Sequence, residues 1–426
     1  MSAGSASPDH NEGRPKGGLF YGWYIVGAVF LSQTVSCGLI FYNLSIFLKA
    51  FVTHNGFSVS AVSNATASFF VAGGLAGLGV GWLMDRYDPR IIITFGAICA
   101  ATALASAGHV RELWQLYAFY ILFGIGNAAV AVIPGITLVA RWFNRQRARA
   151  IAYASTGLSL GGIIFTPISA TLIQRIGLGD ASYWLALVLI LGTVPISWIF
   201  LRPSPASMGL TPDGDAPVLG ADGQMLAPDG VSFADAVRSR FFIMFTTSYV
   251  FSMMAQVGCL AHQFRLVSTR TGDDHIAALA VSVMAAASVT GRLVGGSVLS
   301  RVSSKRYLQA VFVLQAVSFT LFAFAEGVTA LLIVSAMFGA TVGNMQMMQP
   351  LIMAEAFGLK AYARILSLAQ MITTCANAAG PALIGLLYER AGGYQSAYLL
   401  IAVASVIGIL TFSAAGPVRA QITASR

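Results

Sequence analysis

Twelve stretches of this chain are long and apolar enough to cross a bilayer, at about 20–51, 59–84, 90–108, 113–140, 148–173, 180–201, 241–267, 276–300, 306–326, 328–354, 362–388 and 395–416. A helix needs about 20 apolar residues to cross ~30 Å of hydrocarbon, and every backbone polar group in that layer must be paired within the protein. Only helices or a closed barrel meet the second condition. The 44 glycines and 14 prolines are spread through the apolar runs, which suits helices packed through small residues better than the alternation of a barrel. With 57% hydrophobic and 10% charged residues, the chain reads as an all-α membrane protein of twelve transmembrane helices.

The charges give an orientation. With both termini on the cytoplasmic side, eighteen of the 25 Lys and Arg residues fall in cytoplasmic segments, and six (Lys49, Arg111, Arg175, Arg265, Arg270, Arg390) fall outside. That asymmetry predicts a multi-pass protein of the cell membrane, inner or plasma, with cytoplasmic termini. It also accounts for the net charge of +9 without a nucleic-acid partner. Residues 1–17, with Asp9, Glu12, Arg14 and Lys16, and residues 418–426 read as cytoplasmic tails. Cys37, Cys99, Cys259 and Cys375 lie in apolar runs without metal-type spacing, so small buried residues are expected there and neither a metal nor a cofactor is implied.

The one long connection, 202–240, is rich in Pro, Gly and Asp and separates residues 18–201 from 241–417. It reads as a linker, and its Ser232-Phe-Ala-Asp235 start of an apolar and basic run predicts a short interfacial helix. Sliding the halves past each other by about 215 residues aligns Met84 to Arg86 with Leu299 to Arg301, Gly124 with Gly339, Arg149 with Arg364, and Pro134 and Pro167 with Pro350 and Pro381 to within a residue or two. Two pseudo-symmetric six-helix bundles follow, with a binding site near the midplane between them.

Arg292 is the basic residue that topology does not claim. It lies nine residues before Arg301, roughly 13 Å inside the membrane edge at 1.5 Å per residue. Its repeat mate is Gly77. A guanidinium at that depth is costly and marks function by default, and its planar fork can hold a carboxylate through two hydrogen bonds. No Asp or Glu falls mid-span to pair with it. Other polar groups at useful depth are Tyr42, Asn43, Tyr120, Asn127, Asn344, Gln346, Gln370 and Asn377; each alone is more often an interhelical hydrogen bond than a ligand contact. Gln370 is expected at the depth of Arg292. His262, late in the seventh stretch, is a candidate proton carrier or a hydrogen-bonded surface histidine. Gly73-Gly74 and Gly161-Gly162 lie mid-helix with no Walker lysine, which argues for packing and against an ATP-driven pump.

The loop Gly81-Trp-Leu-Met-Asp85-Arg86-Tyr-Asp-Pro-Arg90 resembles the G-x-L-x-D-R-x-G pattern of the major facilitator superfamily, with Asp88 in place of the last glycine. Arg141-Trp-Phe followed by Gly157 to Pro167, the Tyr21-Gly-Trp-Tyr start of the first helix and the Gly291-Arg292 pair are similar to the branch of monocarboxylate transporters and oxalate–formate exchangers. That resemblance implies a carrier of small organic anions with Arg292 as the carboxylate anchor, and Asp85, Arg86, Arg90 and Arg301 as gating residues. Oxalate carriers of the branch add a lysine in helix 11, where this chain has none; proton-coupled animal relatives carry an aspartate where it has Ser288.

The expectation is a secondary transporter, not an enzyme, that moves a lactate- or pyruvate-like monocarboxylate by alternating access with proton symport. Obligatory anion exchange of the oxalate/formate type, or drug and metabolite efflux by the same fold, are the alternatives. Its partners would be the carboxylate, a proton or counter-anion, and the lipid bilayer. The family default is a monomer.

Overall fold

The computed structural model describes residues 19–215, 230–391 and 393–418. Residues 1–17, linker residues 216–229 and residues 419–426, on which the tail and part of the linker expectations fall, lie outside the described residues. Span 1 runs Gly22–Ser36 and Leu44–Asn55 on either side of a π-helical turn, Cys37–Tyr42. Span 2 is Val59–Met84 and span 3 Pro89–Ser106. Span 4 is Leu113–Val130 and Val132–Trp142, broken at Ala131 three residues before Pro134, which has no N–H to donate. Spans 5 and 6 share one continuous element, Arg147–Phe200, that turns at Gly177 with φ 83°. That left-handed value favours glycine, and it makes two membrane crossings of a 54-residue run.

After the linker come span 7 (Arg240–Thr271), span 8 (Asp274–Val298), span 9 (Ser304–Phe324), span 10 (Val328–Phe357), span 11 (Tyr362–Ala391) and span 12 (Tyr394–Ala414). Twelve crossings among the described residues put the starts of span 1 and span 7 and the ends of span 6 and span 12 on one side, called here the linker side.

Small residues explain the pairing. Spans 1 and 5 approach where a side chain on Gly157 or Gly161 would strike the Phe30 or Thr34 carbonyl. Gly380 of span 11 does the same against Met254 of span 7. In spans 2 and 4 the close pair is Gly124 against the Phe69 carbonyl; in spans 8 and 10 it is Gly339 against Met284. The last two contacts are related residue for residue by the 215-residue offset. Span 3 packs on span 6, where Trp198 donates to Thr94 at 2.9 Å, and span 9 packs on span 12. The two six-helix bundles are therefore pseudo-symmetric, and backbone contact through small residues does the work that the hydrophobic effect cannot do in lipid.

The described part of the linker grips both bundles. Asp213 accepts from the backbone N–H groups of Asn144 (2.8 Å), Arg145 (2.6 Å) and Gln146 (3.2 Å), capping the start of span 5. At the other end Val231 N–H donates to the Phe357 carbonyl at 2.9 Å, and Ser232 caps a helix at Phe233–Arg238. Its Phe233 ring lies 5.1 Å under the Arg364 guanidinium of span 11, so it also has a protein contact.

Candidate substrate site and gate

Arg292 is fully buried on span 8. Its Nε donates to the Gly343 carbonyl at 3.1 Å and its Nη2 to Gln346 Oε1 at 3.0 Å, both on span 10, while Nη1 donates to the Ser155 carbonyl on span 5. All three acceptors are neutral, and among the described residues no carboxylate pairs with the guanidinium. The third bond crosses from one bundle to the other. Tyr42 and Cys37, brought in by the π turn of span 1, lie within range of its charge. Gln346, which accepts from the arginine, and Tyr42 are both exposed. A π turn at such a place is a frequent mark of a functional site.

The remaining candidates divide by what already occupies them. Asn344 donates to the Gly291 and Ala340 carbonyls (3.0 and 2.9 Å) and accepts from Tyr307 (2.9 Å), so it holds spans 8, 9 and 10 together. Asn43 donates to Ser169 at 2.7 Å and joins span 1 to span 5. Tyr120 is buried beside Thr66. Asn127 and Asn377 are half-buried, each with a side-chain oxygen that has no hydrogen-bond partner among the described residues. Gln370 is half-buried on span 11 and makes no hydrogen bond to Arg292. His262 takes a separate position, with Nε2 3.1 Å from the Pro381 carbonyl and Nδ1 3.4 Å from the Tyr394 hydroxyl. Because a carbonyl only accepts, Nε2 carries a proton and Nδ1 faces a hydroxyl that can either give or take one.

Asp85 bridges the two bundles on the linker side. Its carboxylate lies 3.6 Å from Arg141 Nη2 of span 4 and 3.4 Å from Arg364 Nε of span 11, so it ties the end of span 2 to the opposite bundle. Arg86 instead lies over the Trp82 ring at 4.3 Å, Arg90 pairs with Asp88 at 3.7 Å, and Arg301 is exposed with no ion pair among the described residues. Beside this bridge, Gly81 leaves no room for a side chain against Ala363 and Ser367, and Gly296 of span 8 lies against Ala152 of span 5. These contacts run from the level of Arg292 to the linker side.

The Major Facilitator Superfamily description fits residues 29–269 and, in a second overlapping match, 239–423. The chain belongs to the Major Facilitator Superfamily. Superfamily relatives include MFS-type transporter 1 of Ophiocordyceps sp. (strain BCC 1869), 24% identical over 93% of this chain and 85% of the relative. Monocarboxylate transporter 2 of Mesocricetus auratus is 22% identical over 96% of this chain and 86% of its own. Among solved structures, the E. coli fucose:proton symporter FucP superposes with a TM-score of 0.68 at 15% identity, covering 92% of this chain and 99% of that one. The fold is that of this superfamily, whose members are transporters and not enzymes.

A pH dependence is expected from the Asp85 bridge. In the closed arrangement burial pushes the Asp85 carboxyl up to about 6, against the opposing pull of Arg141 and Arg364. When the bundles part and Asp85 meets water, its pKa falls back towards the ordinary value of about 4. The closed form therefore holds the proton more tightly, gains over the open form as pH falls through about 6, and has its full gain below about 4. Spin labels at the exposed Tyr87 and Lys360, across the bridge, are expected to show more of the short distance at pH 5 than at pH 7.5. Asp85→Asn is expected to abolish that dependence. A short-distance population that shrinks on acidification removes Asp85 as its source.

Proposed function

We propose that the protein is a secondary carrier of small monocarboxylates, of lactate or pyruvate size, whose carboxylate takes the Nη atoms of Arg292. The observation that carries the reading is a fully buried guanidinium with three neutral acceptors and no acidic partner among the described residues. A buried charge without a counter-charge is costly, and an arriving carboxylate offsets that cost. One fixed cation suits one carboxylate; a dianion would leave a second charge desolvated. The likeness to a protein named monocarboxylate transporter 2 over 96% of the chain points the same way.

The cycle follows from which contacts break. With lysines and arginines weighted to the linker side, that side is the cytoplasm, and closure through Asp85–Arg364, Gly81 and Gly296 describes a carrier shut to the cytoplasm. The carboxylate replaces the Ser155 or Gln346 acceptor, the site becomes nearly neutral, and the bundles rock about it. A single chain suffices for this cycle.

Coupling has two readings, each with an observation behind it. His262 can take a proton without losing either contact, since the Tyr394 oxygen can accept from a protonated Nδ1; this favours symport. The uncompensated Arg292 disfavours return of the empty carrier, which favours exchange. Acid-driven uptake of a labelled monocarboxylate into vesicles without internal anion separates them: accumulation supports symport, and its absence with intact counterflow supports exchange. His262→Gln is expected to abolish acid-driven accumulation and to leave counterflow within about twofold. Equal loss of both would make His262 a structural residue.

A further inference from the structure

We infer that the cleft between the linker-side ends of spans 5 and 8 binds an anionic phospholipid, with its phosphate held between Arg149 and Arg301. The cleft encloses about 710 Å³ and is lined by Arg149, Tyr153, Val294, Ser300 and Arg301 among others.

The pseudo-symmetry supplies the reason. On the opposite flank, where spans 2 and 11 meet, the bundles are joined by Asp85 and Arg364 at 3.4 Å. The 215-residue offset carries Arg364 to Arg149 and Asp85 to Ser300, both in the cleft. The arginine is kept and the acid is missing. The same offset carries Arg86 to Arg301 and Trp82 to Ser297, so Arg301 lacks the ring over which Arg86 lies at 4.3 Å. Both cleft arginines are exposed, and neither forms a hydrogen bond or ion pair among the described residues. The Ser300 hydroxyl is turned to the Ser297 carbonyl at 2.7 Å and does not fill the place of the carboxylate.

Two guanidiniums without an acidic partner among the described residues therefore line one cavity, and phosphate pairs with guanidinium through two parallel hydrogen bonds. Its remaining wall is apolar. Val294 and Tyr153 are 55% and 40% exposed, and such a wall at the membrane boundary suits the glycerol and first acyl carbons of a lipid better than a free ion. Because Arg149 belongs to the first bundle and Arg301 to the second, a lipid held by both joins the bundles on this flank as Asp85 joins them on the other. It would favour the arrangement closed on the linker side.

The test is native mass spectrometry of the full-length protein in neutral detergent, titrated with phosphatidylglycerol, phosphatidylcholine or inorganic phosphate. Saturable binding of phosphatidylglycerol over phosphatidylcholine is expected, falling about fivefold for Arg149→Gln or Arg301→Gln and about 25-fold for both, at roughly one surface charge contact each. Arg238→Gln, an exposed linker arginine outside the cleft, is expected to change nothing. Val294→Trp fills the cleft with both arginines in place and carries the test if the double variant does not fold; it is expected to weaken binding. Undiminished phosphatidylglycerol binding by the double variant or by Val294→Trp overturns the proposal. Inorganic phosphate displacing the lipid would overturn the lipid as occupant and leave a free-anion site.

Discussion

Replacement of Arg292 by Gln is expected to abolish substrate binding while leaving the empty carrier as stable as wild type or more so. The two effects have one origin. A guanidinium that is fully buried against the Gly343 and Ser155 carbonyls and Gln346 Oε1 pays a desolvation cost that no carboxylate among the described residues offsets, so its removal relieves the apo protein. The same removal leaves an incoming carboxylate unpaired, a loss of about 2–5 kcal/mol or roughly 30- to several-thousand-fold in affinity. Arg292→Lys keeps the charge but not the planar fork, and it cannot reach three acceptors on two spans at once; it is expected to fall nearer to Gln than to wild type. Thermal unfolding with and without a panel of C2–C6 monocarboxylates reads both effects. A structural arginine would give the opposite pattern: a lower melting temperature for Arg292→Gln and an undiminished ligand shift.

Gly81→Val is expected to trap the carrier open to the linker side. A Cβ at residue 81 would lie 2.7 Å from the Ala363 carbonyl oxygen and closer still to Ser367 Oγ. The clash exists only while spans 2 and 11 are in contact. Overpacking of this kind costs about 1–3 kcal/mol, which shifts the closed–open equilibrium by roughly 5- to 150-fold without touching the interior of either bundle. Transport should fall by more than tenfold, and labels at Tyr87 and Lys360 should report the long distance throughout. Normal transport by Gly81→Val, with the short distance retained, would show that this contact does not limit closure.

Much of this was legible in the sequence because lipid imposes simple rules. Span length follows from bilayer thickness, and the pairs Gly124–Phe69 and Gly339–Met284 obey the 215-residue repeat read from the sequence. That Arg292 stands inside an apolar run, apart from the other basic residues, was legible in the same way. Its partners were not, because the Gly343 and Ser155 acceptors are backbone carbonyls, which every residue carries. The π turn that brings Tyr42 and Cys37 towards it leaves no mark in composition, and Cys37 therefore reads as packing. Depth alone placed Gln370 level with Arg292, but depth does not fix the face of a helix that a side chain occupies. Asn344 illustrates another limit: a polar residue in a span looks the same whether it awaits a ligand or joins Gly291, Ala340 and Tyr307. The Arg364 partner of Asp85 had a signal, since the repeat aligned it with the basic cluster at Arg149, yet pairing across bundles appears only when both are folded.

The most direct test is counterflow in vesicles holding the purified full-length protein. Vesicles loaded with unlabelled pyruvate or lactate should accumulate the labelled acid through the wild-type carrier and not through Arg292→Gln, and loading with a dicarboxylate or a neutral sugar should drive little. Wild-type counterflow by Arg292→Gln, or a dicarboxylate driving it better than every monocarboxylate, would contradict Arg292 as the anchor of a single carboxylate.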